Sequence, residues 1–504
     1  MDAVSKIFLY SEHSPLIFTQ AYFWGFFAAV LAGYSAIYKN NGLRHAYLFF
    51  VSVFFYYKTA GLFCLFLFAS TLVNFFIALA IGGLSNEWTR KALITLSITL
   101  NLSVLAYFKY AYFFTDSYNA LFHTNNAVFN YLAHWANTAV GTTFDVSKII
   151  LPVGLSFYTF QKISYMVDVY RRDLKPLDNF LDFGFFVFFF PQLVAGPIVR
   201  ATDFLPQLSK PYTLTKEEFG LATFWILNGL IKKMLVSDYI SVNFIDRVFE
   251  NPALYGGAES LLACYGYSLQ VYCDFSGYTD IAIGLSLLMG FRLPMNFNQP
   301  HKAANVAEFW QRWHISLSSW LRDYLYIPLG GNRHGETRTN INLMVTMLLG
   351  GLWHGASWQF IIWGGLNGLA LLVYRYWRRA MSSRITPTVV GYIGSIALTF
   401  SFISFTRIFF RSETLDVSLQ VMSNIATQFH IGALASVAGS YKTVCAVMLF
   451  GFVGQWLPSA WKASLRTAFI NAPSTAQAAI AVVVVFVIYQ AVSSDVQPFI
   501  YFQF

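Results

Sequence analysis

Long apolar runs recur along the chain and restrict it to a membrane-protein fold. Hydrophobic residues make up 56% of the 504 residues and charged residues only 11%, whereas a soluble domain is nearer one quarter charged. A spanning helix needs about 20 apolar residues, and we count about eleven or twelve apolar segments. The clearest are 16–38, 61–84, 92–114, 219–236, 261–289, 340–363 with 364–376 after it, 389–410, 437–453 and 476–492. The sequence therefore predicts an all-α polytopic membrane protein with one domain, residues 1–504.

Basic residues are concentrated in the short connections between these runs. They occur in 39–44 and 90–91, at Arg171-Arg172 and in 375–384, whereas the long loop 115–148 is nearly free of Lys and Arg. Cytoplasmic loops carry an excess of positive charge, so we place the basic connections inside and the long loop outside. The tail 493–504 then lies outside the membrane. The net charge of +9 fits cytoplasmic loops and anionic lipid headgroups, and we expect no nucleic-acid partner.

Proline and glycine interrupt two of the apolar segments. The segment 151–170 contains Pro152 and Gly154, and the segment 180–199 contains Pro191. Broken or re-entrant helices occur in membranes where they line a cavity enclosed by protein. Ordinary proline-kinked spans are the alternative, and both interpretations stay open.

The stretch 308–355 contains the candidate chemistry. Two of its histidines directly follow a tryptophan, in Trp313-His314 and Trp353-His354. A histidine in such a half-buried place can stay neutral near pH 7 and act as a general base. No G-x-S-x-G or similar nucleophile motif occurs in the sequence, which favours direct acyl transfer to a hydroxyl over an acyl-serine enzyme. His354 and His314 are therefore candidate catalytic residues.

Two other interpretations of this stretch stay open. An interfacial amphipathic helix over 310–323 would explain its tryptophans and arginines, although not the second Trp-His step among glycines. A metal site is the other alternative, because four histidines lie close in sequence: His301, His314, His334 and His354. None has H-x-x-x-H spacing, so we expect no metal.

Arginines and glycines follow the first Trp-His step. Arg322 and Arg333 flank Gly330-Gly331. A phosphate-binding P-loop is absent because its Lys-Ser/Thr pair is missing. Arginines nevertheless make strong charge-assisted contacts with phosphates. We predict that Arg322, Gly330, Gly331 and Arg333 bind an anionic donor such as a coenzyme A phosphate.

An ordered set of segments resembles the membrane-bound O-acyltransferase family. The set is RWHISLSSWLRDYLYIPLGGNR with WHG after it, LPVGLSFYTFQKISYMVDVYR (151–171), FFPQLVAGPIVR (189–200), YCDFSGYTDIAIG (272–284), FNQP (297–300) and the ending PFIYFQF. It is similar to the bacterial branch that contains the alginate and peptidoglycan O-acetylation membrane proteins. The resemblance implies a ring of about eleven transmembrane helices, with re-entrant or interfacial helices around a central tunnel. His354 matches the family's main catalytic histidine and His314 its second active-site position.

This resemblance also implies a function. The chain would take acetyl groups from cytoplasmic acetyl-CoA, without a bound cofactor, for O-acetylation of an exported polysaccharide such as alginate. An extracytoplasmic acetyltransferase partner and a bacterial inner-membrane location are implied too. Peptidoglycan O-acetylation, a non-enzymatic transporter, and an acyltransferase for lipids or proteins remain alternatives. The sequence departs from the family pattern at His301, where an aromatic residue is expected, and at Gln311, where a basic residue is common.

The last six residues, 499–504, are mostly aromatic and carry no charged side chain. They could simply pack against the protein or the bilayer interface. Tyr501 supports a second interpretation, because its outward hydroxyl could carry the acetyl group and phenolate leaves readily. Tyrosine-bearing tails also occur in the D-alanylation relatives that the family resemblance suggests. We therefore treat Tyr501 as a candidate catalytic residue.

Overall fold

The computed structural model describes residues 8–11, 15–381, 388–491 and 499–500. Every regular element in these ranges is helical, which confirms the predicted all-α fold. The chain is a multi-pass membrane protein.

The helices of the first half, in chain order, are α1 (Ala21–Ile37), α2 (Asn41–Ala60), α3 (Phe63–Gly83), α4 (Glu87–Leu105), α5 (Ala111–Phe122), α6 (Tyr131–Val140), α7 (Leu155–Arg171), α8 (Phe180–Phe188), α9 (Phe190–Leu193), α10 (Ala201–Phe204), α11 (Lys216–Leu230) and α12 (Asp246–Glu250). Those of the second half are α13 (Gly257–Leu288), α14 (Val306–Arg312), α15 (Ile315–Leu321), α16 (Gly335–His354), α17 (Trp358–Met381), α18 (Val389–Arg411), α19 (Leu415–Thr427), α20 (Ala433–Ser440), α21 (Lys442–Trp456), α22 (Ser459–Asn471) and α23 (Ser474–Ala491). Four π-helical segments (Ala106–Tyr110, Ile231–Asp238, Ser241–Ile245, Arg322–Tyr326) and three 3₁₀ turns (Leu205–Gln207, Pro252–Leu254, Pro300–Lys302) connect some of them.

Five helices in the described ranges are long and apolar enough to cross a bilayer. They are Phe63–Gly83, Glu87–Phe122, Lys216–Glu250, Val389–Arg411 and Ser474–Ala491. A sixth span would consist of α20 and α21, which meet at 94°. The count of about eleven transmembrane helices therefore stays a prediction.

The long helix α13 lies inside the molecule. It has 32 residues, and its buried residues include Asp274 and Asp280. A Cβ on Gly229 of α11 would lie 2.5 Å from the Gly277 carbonyl oxygen of α13, so glycine permits this close helix contact. Both carboxylates are paired with lysines, Asp274 with Lys233 and Asp280 with Lys232, each at 2.6 Å, and this pairing explains how an apolar helix can contain them.

A break after His354 separates α16 from α17. The sequence predicted one segment over 340–363 and another from 364, and that boundary is wrong. Gly355 is extended, with φ −158° and ψ 149°, and ends α16. Gly364 instead lies within α17, where a Cβ would be 2.4 Å from the Met347 carbonyl oxygen. This glycine allows the two helices to touch and does not interrupt either of them.

Two other sequence boundaries differ in detail. The stretch 115–148, predicted as a loop, contains the end of α5 and all of α6. The segment 180–199 is broken: α8 ends at Phe188 and the short α9 starts at Phe190. The peptide between them is non-helical at Phe189, with φ −47° and ψ 106°.

The basic pair Arg171-Arg172 lies near the start of α4 and near Asp323. Arg172 pairs with Glu87 at 2.8 Å, and Arg171 donates a hydrogen bond to the Asp323 carbonyl oxygen at 3.3 Å. At the opposite ends of the same helices, the Tyr112 hydroxyl accepts from the Ile149 N–H at 2.9 Å. The assignment of a cytoplasmic face near Arg171 and an outer face near Ile149 stays a prediction from the basic residues.

The contact between α16 and α17 gives a stability prediction. Gly364→Ala would push its Cβ against a backbone oxygen, and overpacking of this kind costs about 1–3 kcal/mol. We expect a lower thermal unfolding temperature for the detergent-solubilised protein. The adjacent Gly365→Ala is the control, because its Cβ would meet Leu348 at an ordinary 3.5 Å. Equal unfolding temperatures for the two variants would contradict the close contact.

Candidate active site

His354 is the last residue of α16 and is 4% exposed. Its ring centroid lies 5.2 Å from those of Trp363 and Phe410. The Trp353 ring lies 4.9 Å away. Aromatic rings therefore enclose the imidazole and keep bulk water away from it.

His314 lies between α14 and α15 in the left-handed backbone region, with φ 44°. This conformation is uncommon for a residue with a side chain and is found at functional sites. The turn is supported by Asn296, whose backbone oxygen accepts from the Ile315 N–H at 3.0 Å and whose Oδ1 accepts from the Ser316 hydroxyl at 2.9 Å. Sequence reasoning noted the neighbouring FNQP motif but missed Asn296 itself.

The structure brings the two predicted histidines together. The ring centroids of His314 and His354 are 6.3 Å apart. The Phe275 ring lies edge-on to His314 at 4.7 Å. Two imidazoles on separate elements thus face one another inside an apolar enclosure, a geometry in which one group can take a proton while the other orients a reactant.

Stacked aromatic rings fix the elements that carry the histidines. Trp320 of α15 stacks on Phe160 of α7 at 3.8 Å, and its indole N–H donates to the Phe160 carbonyl oxygen at 2.9 Å. The Phe160 ring also stacks on Trp353 at 5.4 Å. The amphipathic stretch 310–323 therefore packs Trp320 into the protein. Phe160 contacts both α15, which follows His314, and α16, which ends at His354.

Three cavities follow one another through the site. The inner cavity, of about 180 Å³, is lined by Ser318, Arg322, Tyr326 and His354, among others. His354 also lines a small middle cavity, together with Ile500. Ile500 in turn lines the outer cavity, of about 730 Å³. His354 and Ile500 thus line neighbouring cavities. The names inner and outer follow the orientation predicted from the basic connections.

Only one of the predicted donor-binding residues lines the inner cavity. Arg322 does so, while also pairing with Asp323 at 2.6 Å. Gly330 and Gly331 form a tight turn with positive φ values of 110° and 56°, and the Gly331 carbonyl oxygen accepts from Asn342 at 3.0 Å. Arg333 is exposed next to that turn.

Asp323 keeps Arg322 in place. Burial opposes ionisation of this carboxyl group, but hydrogen bonds from Arg322 and Arg200 outweigh it and lower the pKa of Asp323. The Arg200–Asp323 distance is 2.7 Å. The negative charge of Asp323 therefore persists at neutral pH and orients both guanidinium groups at the inner face.

Charged groups line the outer cavity. Lys233 bridges Asp238 at 2.7 Å and Asp274 at 2.6 Å, and Arg411 pairs with Asp246 at 2.7 Å. Neither Asp274 nor its partner Lys233 was among the site residues predicted from the sequence. Such buried charges are stable only when paired, so this cluster gives the outer cavity a fixed polar wall.

The chain returns to this wall near its C-terminus. The Ile500 N–H donates to the Asp274 carboxylate at 2.8 Å, and the Phe499 ring lies 4.6 Å from the Lys233 ammonium nitrogen. Both residues are buried. Tyr501, the predicted acyl carrier, lies outside the described residues.

Sequence reasoning also missed Arg407. Its guanidinium group stacks over Trp313 at 4.2 Å and lies 3.4 Å from a ring nitrogen of His301. His301 bonds Gln455 through its other nitrogen at 2.5 Å. The histidine at the position where the family has an aromatic residue thus belongs to a polar cluster that supports Trp313. In the described ranges, no three His, Cys, Asp or Glu side chains come together as metal ligands.

Comparisons with known proteins agree with this site. The model of the membrane-bound O-acyltransferase family matches residues 84–411, which include both histidines. The chain is 39% identical over 411 residues to a probable alginate O-acetylase of Pseudomonas aeruginosa, covering 80% of this chain and 73% of the relative. It is 34% identical over 454 residues to a peptidoglycan O-acetyltransferase of Helicobacter pylori, with coverages of 84% and 81%.

A more distant similarity is 31% identity over 281 residues to a teichoic acid D-alanyltransferase of Bacillus subtilis, covering 51% of this chain and 68% of the relative. Together these matches confirm the resemblance in the sequence motifs and the prediction of an enzyme, against the transporter alternative. The chain belongs to the membrane-bound O-acyltransferase family and is an O-acyltransferase.

Proposed function

We propose that this protein takes acetyl groups from acetyl-CoA at the inner face and delivers them to the outer face for O-acetylation of a polysaccharide. The position of His354 is the observation that carries the proposal. It lines the inner cavity with Arg322, and the residues directly after it, Gly355 to Ser357, line the outer cavity. A base in this place can act on a donor from one side and an acceptor from the other.

The geometry suggests a role for each histidine. His354 accepts the proton of an acceptor hydroxyl while the oxygen attacks the acetyl carbonyl. The carbon–sulfur bond breaks, and the CoA thiolate leaves and takes up the proton. His314, 6.3 Å away, orients the thioester or the hydroxyl. The aromatic enclosure keeps water from competing as acceptor.

The names of the relatives support a polymer as the final acceptor. The relatives are described as acting on alginate and on peptidoglycan, and both are carbohydrate polymers. We favour an exported polysaccharide of the alginate kind, because 39% identity exceeds 34% at similar coverage. The peptidoglycan relative covers slightly more of this chain and keeps that polymer as the second candidate.

We further propose that the acetyl group passes to an extracytoplasmic acetyltransferase partner in the bacterial inner membrane or periplasm. The outer cavity of about 730 Å³ is large enough for a side chain or a sugar unit, which suits an acceptor group presented by a partner. A partner would therefore receive the group at this opening and carry it to the polymer.

Removal of the base tests the proposal. His354→Ala should lower acetyl-CoA-dependent CoA release about 10²–10⁴-fold, as is usual when a general base is lost. His314→Ala should lower turnover with less effect on the Michaelis constant for the donor. His430→Ala is the control, since His430 is exposed and is not among the residues that line the three cavities. A folded His354→Ala protein that acetylates polymer normally would contradict the assignment.

The donor side can be tested separately. Arg322→Ala should raise the Michaelis constant for acetyl-CoA about tenfold, because a charge-assisted hydrogen bond contributes about 1.5–3 kcal/mol. Arg333→Ala should raise it less, since Arg333 does not line the inner cavity. Arg378→Ala, at the exposed end of α17, controls for the loss of one positive charge. If neither Arg322→Ala nor Arg333→Ala changes the Michaelis constant for acetyl-CoA, the donor site lies elsewhere.

Tyr501 remains a proposed acyl carrier. Its neighbour Ile500 lines both the middle and outer cavities, which supports a role near His354. Tyr501→Phe removes only the hydroxyl, so it should abolish polymer acetylation, and acetyl-tyrosine should be detectable by mass spectrometry in the wild type. Tyr489→Phe is the matched control, because Tyr489 is 77% exposed on α23. Wild-type acetylation by Tyr501→Phe would mean that the tail only packs.

A further inference from the structure

The C-terminal end of α16 is held by a neighbouring π-helical segment. The last four carbonyl groups of an α-helix have no partner within the helix. In α16 these belong to Gly351, Leu352, Trp353 and His354. Because Gly355 is extended, the chain that follows cannot satisfy all of them.

Each of the four carbonyl groups nevertheless has a donor. The Gly351 oxygen accepts from the Gly355 N–H at 3.4 Å, and the Leu352 oxygen accepts from the Tyr110 hydroxyl at 2.9 Å. The Lys109 ammonium group donates to the Trp353 oxygen at 2.6 Å and to the His354 oxygen at 3.0 Å. Three of the four bonds therefore come from two adjacent residues of another helix.

The π-helical segment Ala106–Tyr110 explains why two adjacent side chains reach one target. In a regular α-helix, neighbouring residues do not face the same way. A π-turn changes the direction of side chains locally and is frequent at functional sites. Here it lies between α4 and α5, within the longer helix Glu87–Phe122, and presents Lys109 and Tyr110 to the end of α16.

Lys109 is chemically suited to this place. In the described part of the chain, no carboxylate forms an ion pair with it. A cation near a helix C-terminus is favoured by the helix dipole. The ammonium nitrogen also lies 5.9 Å from the Trp353 ring centroid, and that ring packs against His354. Lys109 thus contacts both the backbone and the aromatic neighbour of the histidine.

We propose that Lys109, assisted by Tyr110, is a positioning residue that holds His354 in its reactive place between the inner and outer cavities. The role of His354 rests on the proposed function, whereas the clamp itself is a structural claim. Lys109 also lines the outer cavity, so it fixes the histidine from the acceptor side. Without it, the last turn of α16 would fray and the imidazole would move relative to both reactants.

The test uses the full-length protein in lipid nanodiscs. Lys109→Met keeps the length of the side chain and removes its donors. Since small displacements of a catalytic group cost up to about 10²-fold in rate, we expect kcat for CoA release from acetyl-CoA to fall about tenfold or more, with the donor Michaelis constant nearly unchanged. Lys109→Arg, which restores donors, should recover part of kcat, and Tyr110→Phe should lower it less than Lys109→Met.

Lys162→Met is the matched control. Lys162 is a buried lysine of α7 that donates a hydrogen bond to the Ser70 hydroxyl of α3 at 2.8 Å. Its loss should affect stability without selectively lowering kcat. Hydrogen–deuterium exchange over 352–358 supplies a reading independent of activity, and it should be faster in Lys109→Met than in Lys162→Met.

The outcomes separate the two claims. A wild-type kcat in Lys109→Met, an equal loss of kcat in Lys162→Met, or unchanged exchange over 352–358 would overturn the positioning role. A wild-type protein that releases no CoA would instead overturn the proposed donor. In that case the exchange measurement alone decides whether Lys109 clamps the end of α16.

Discussion

Polar groups inside a membrane must find partners within the protein, because the bilayer core provides no water to bind them. This constraint shapes the whole molecule. Lys233 sits between two carboxylates, Asp238 and Asp274, and the Asp274 carboxylate also accepts from the Ile500 N–H. The same requirement at the end of α16 brings Lys109 and Tyr110 to the carbonyl groups beside His354.

The end of α16 at His354 creates the candidate active site. A helix that continued past His354 would satisfy its own carbonyl groups and would leave no opening to the outer cavity. Gly355 ends it, and the close contact of Gly364 with the Met347 carbonyl oxygen lets α17 begin beside it. The histidine is left at a helix end, enclosed by Trp363 and Phe410, with cavities on both sides of it.

Local signals in the sequence predicted the helical class, which the structure confirms, and they indicated the two histidines and Arg322 as candidate site residues. Apolar runs indicate spans, Trp-His steps are unusual, and basic loops are typical of the cytoplasmic face. The break at Gly355 was placed wrongly because a glycine can end a helix or pack against another one, as Gly364 does. Only the partner helix decides between these outcomes.

Long-range partners were beyond such reasoning. Nothing in the sequence near Lys109 shows that it meets residues 353 and 354, because the contact spans more than two hundred positions and depends on a π-turn. Asn296 and Arg407 are also long-range partners: Asn296 accepts from the Ser316 hydroxyl, and Arg407 lies over the ring of Trp313. The FNQP motif directly after Asn296 was visible in the sequence, but the role of Asn296 itself depends on the fold.

Transfer between the two faces is the central claim and can be measured directly. Inside-out membrane vesicles from cells that produce the protein expose the cytoplasmic face and enclose the outer face, together with the proposed polymer and partner. With radiolabelled acetyl-CoA added outside, labelled acetyl esters should accumulate in the vesicle lumen, and His354→Ala vesicles should accumulate none. Label that stays outside the vesicles, or that enters the lumen equally with His354→Ala, would contradict the account.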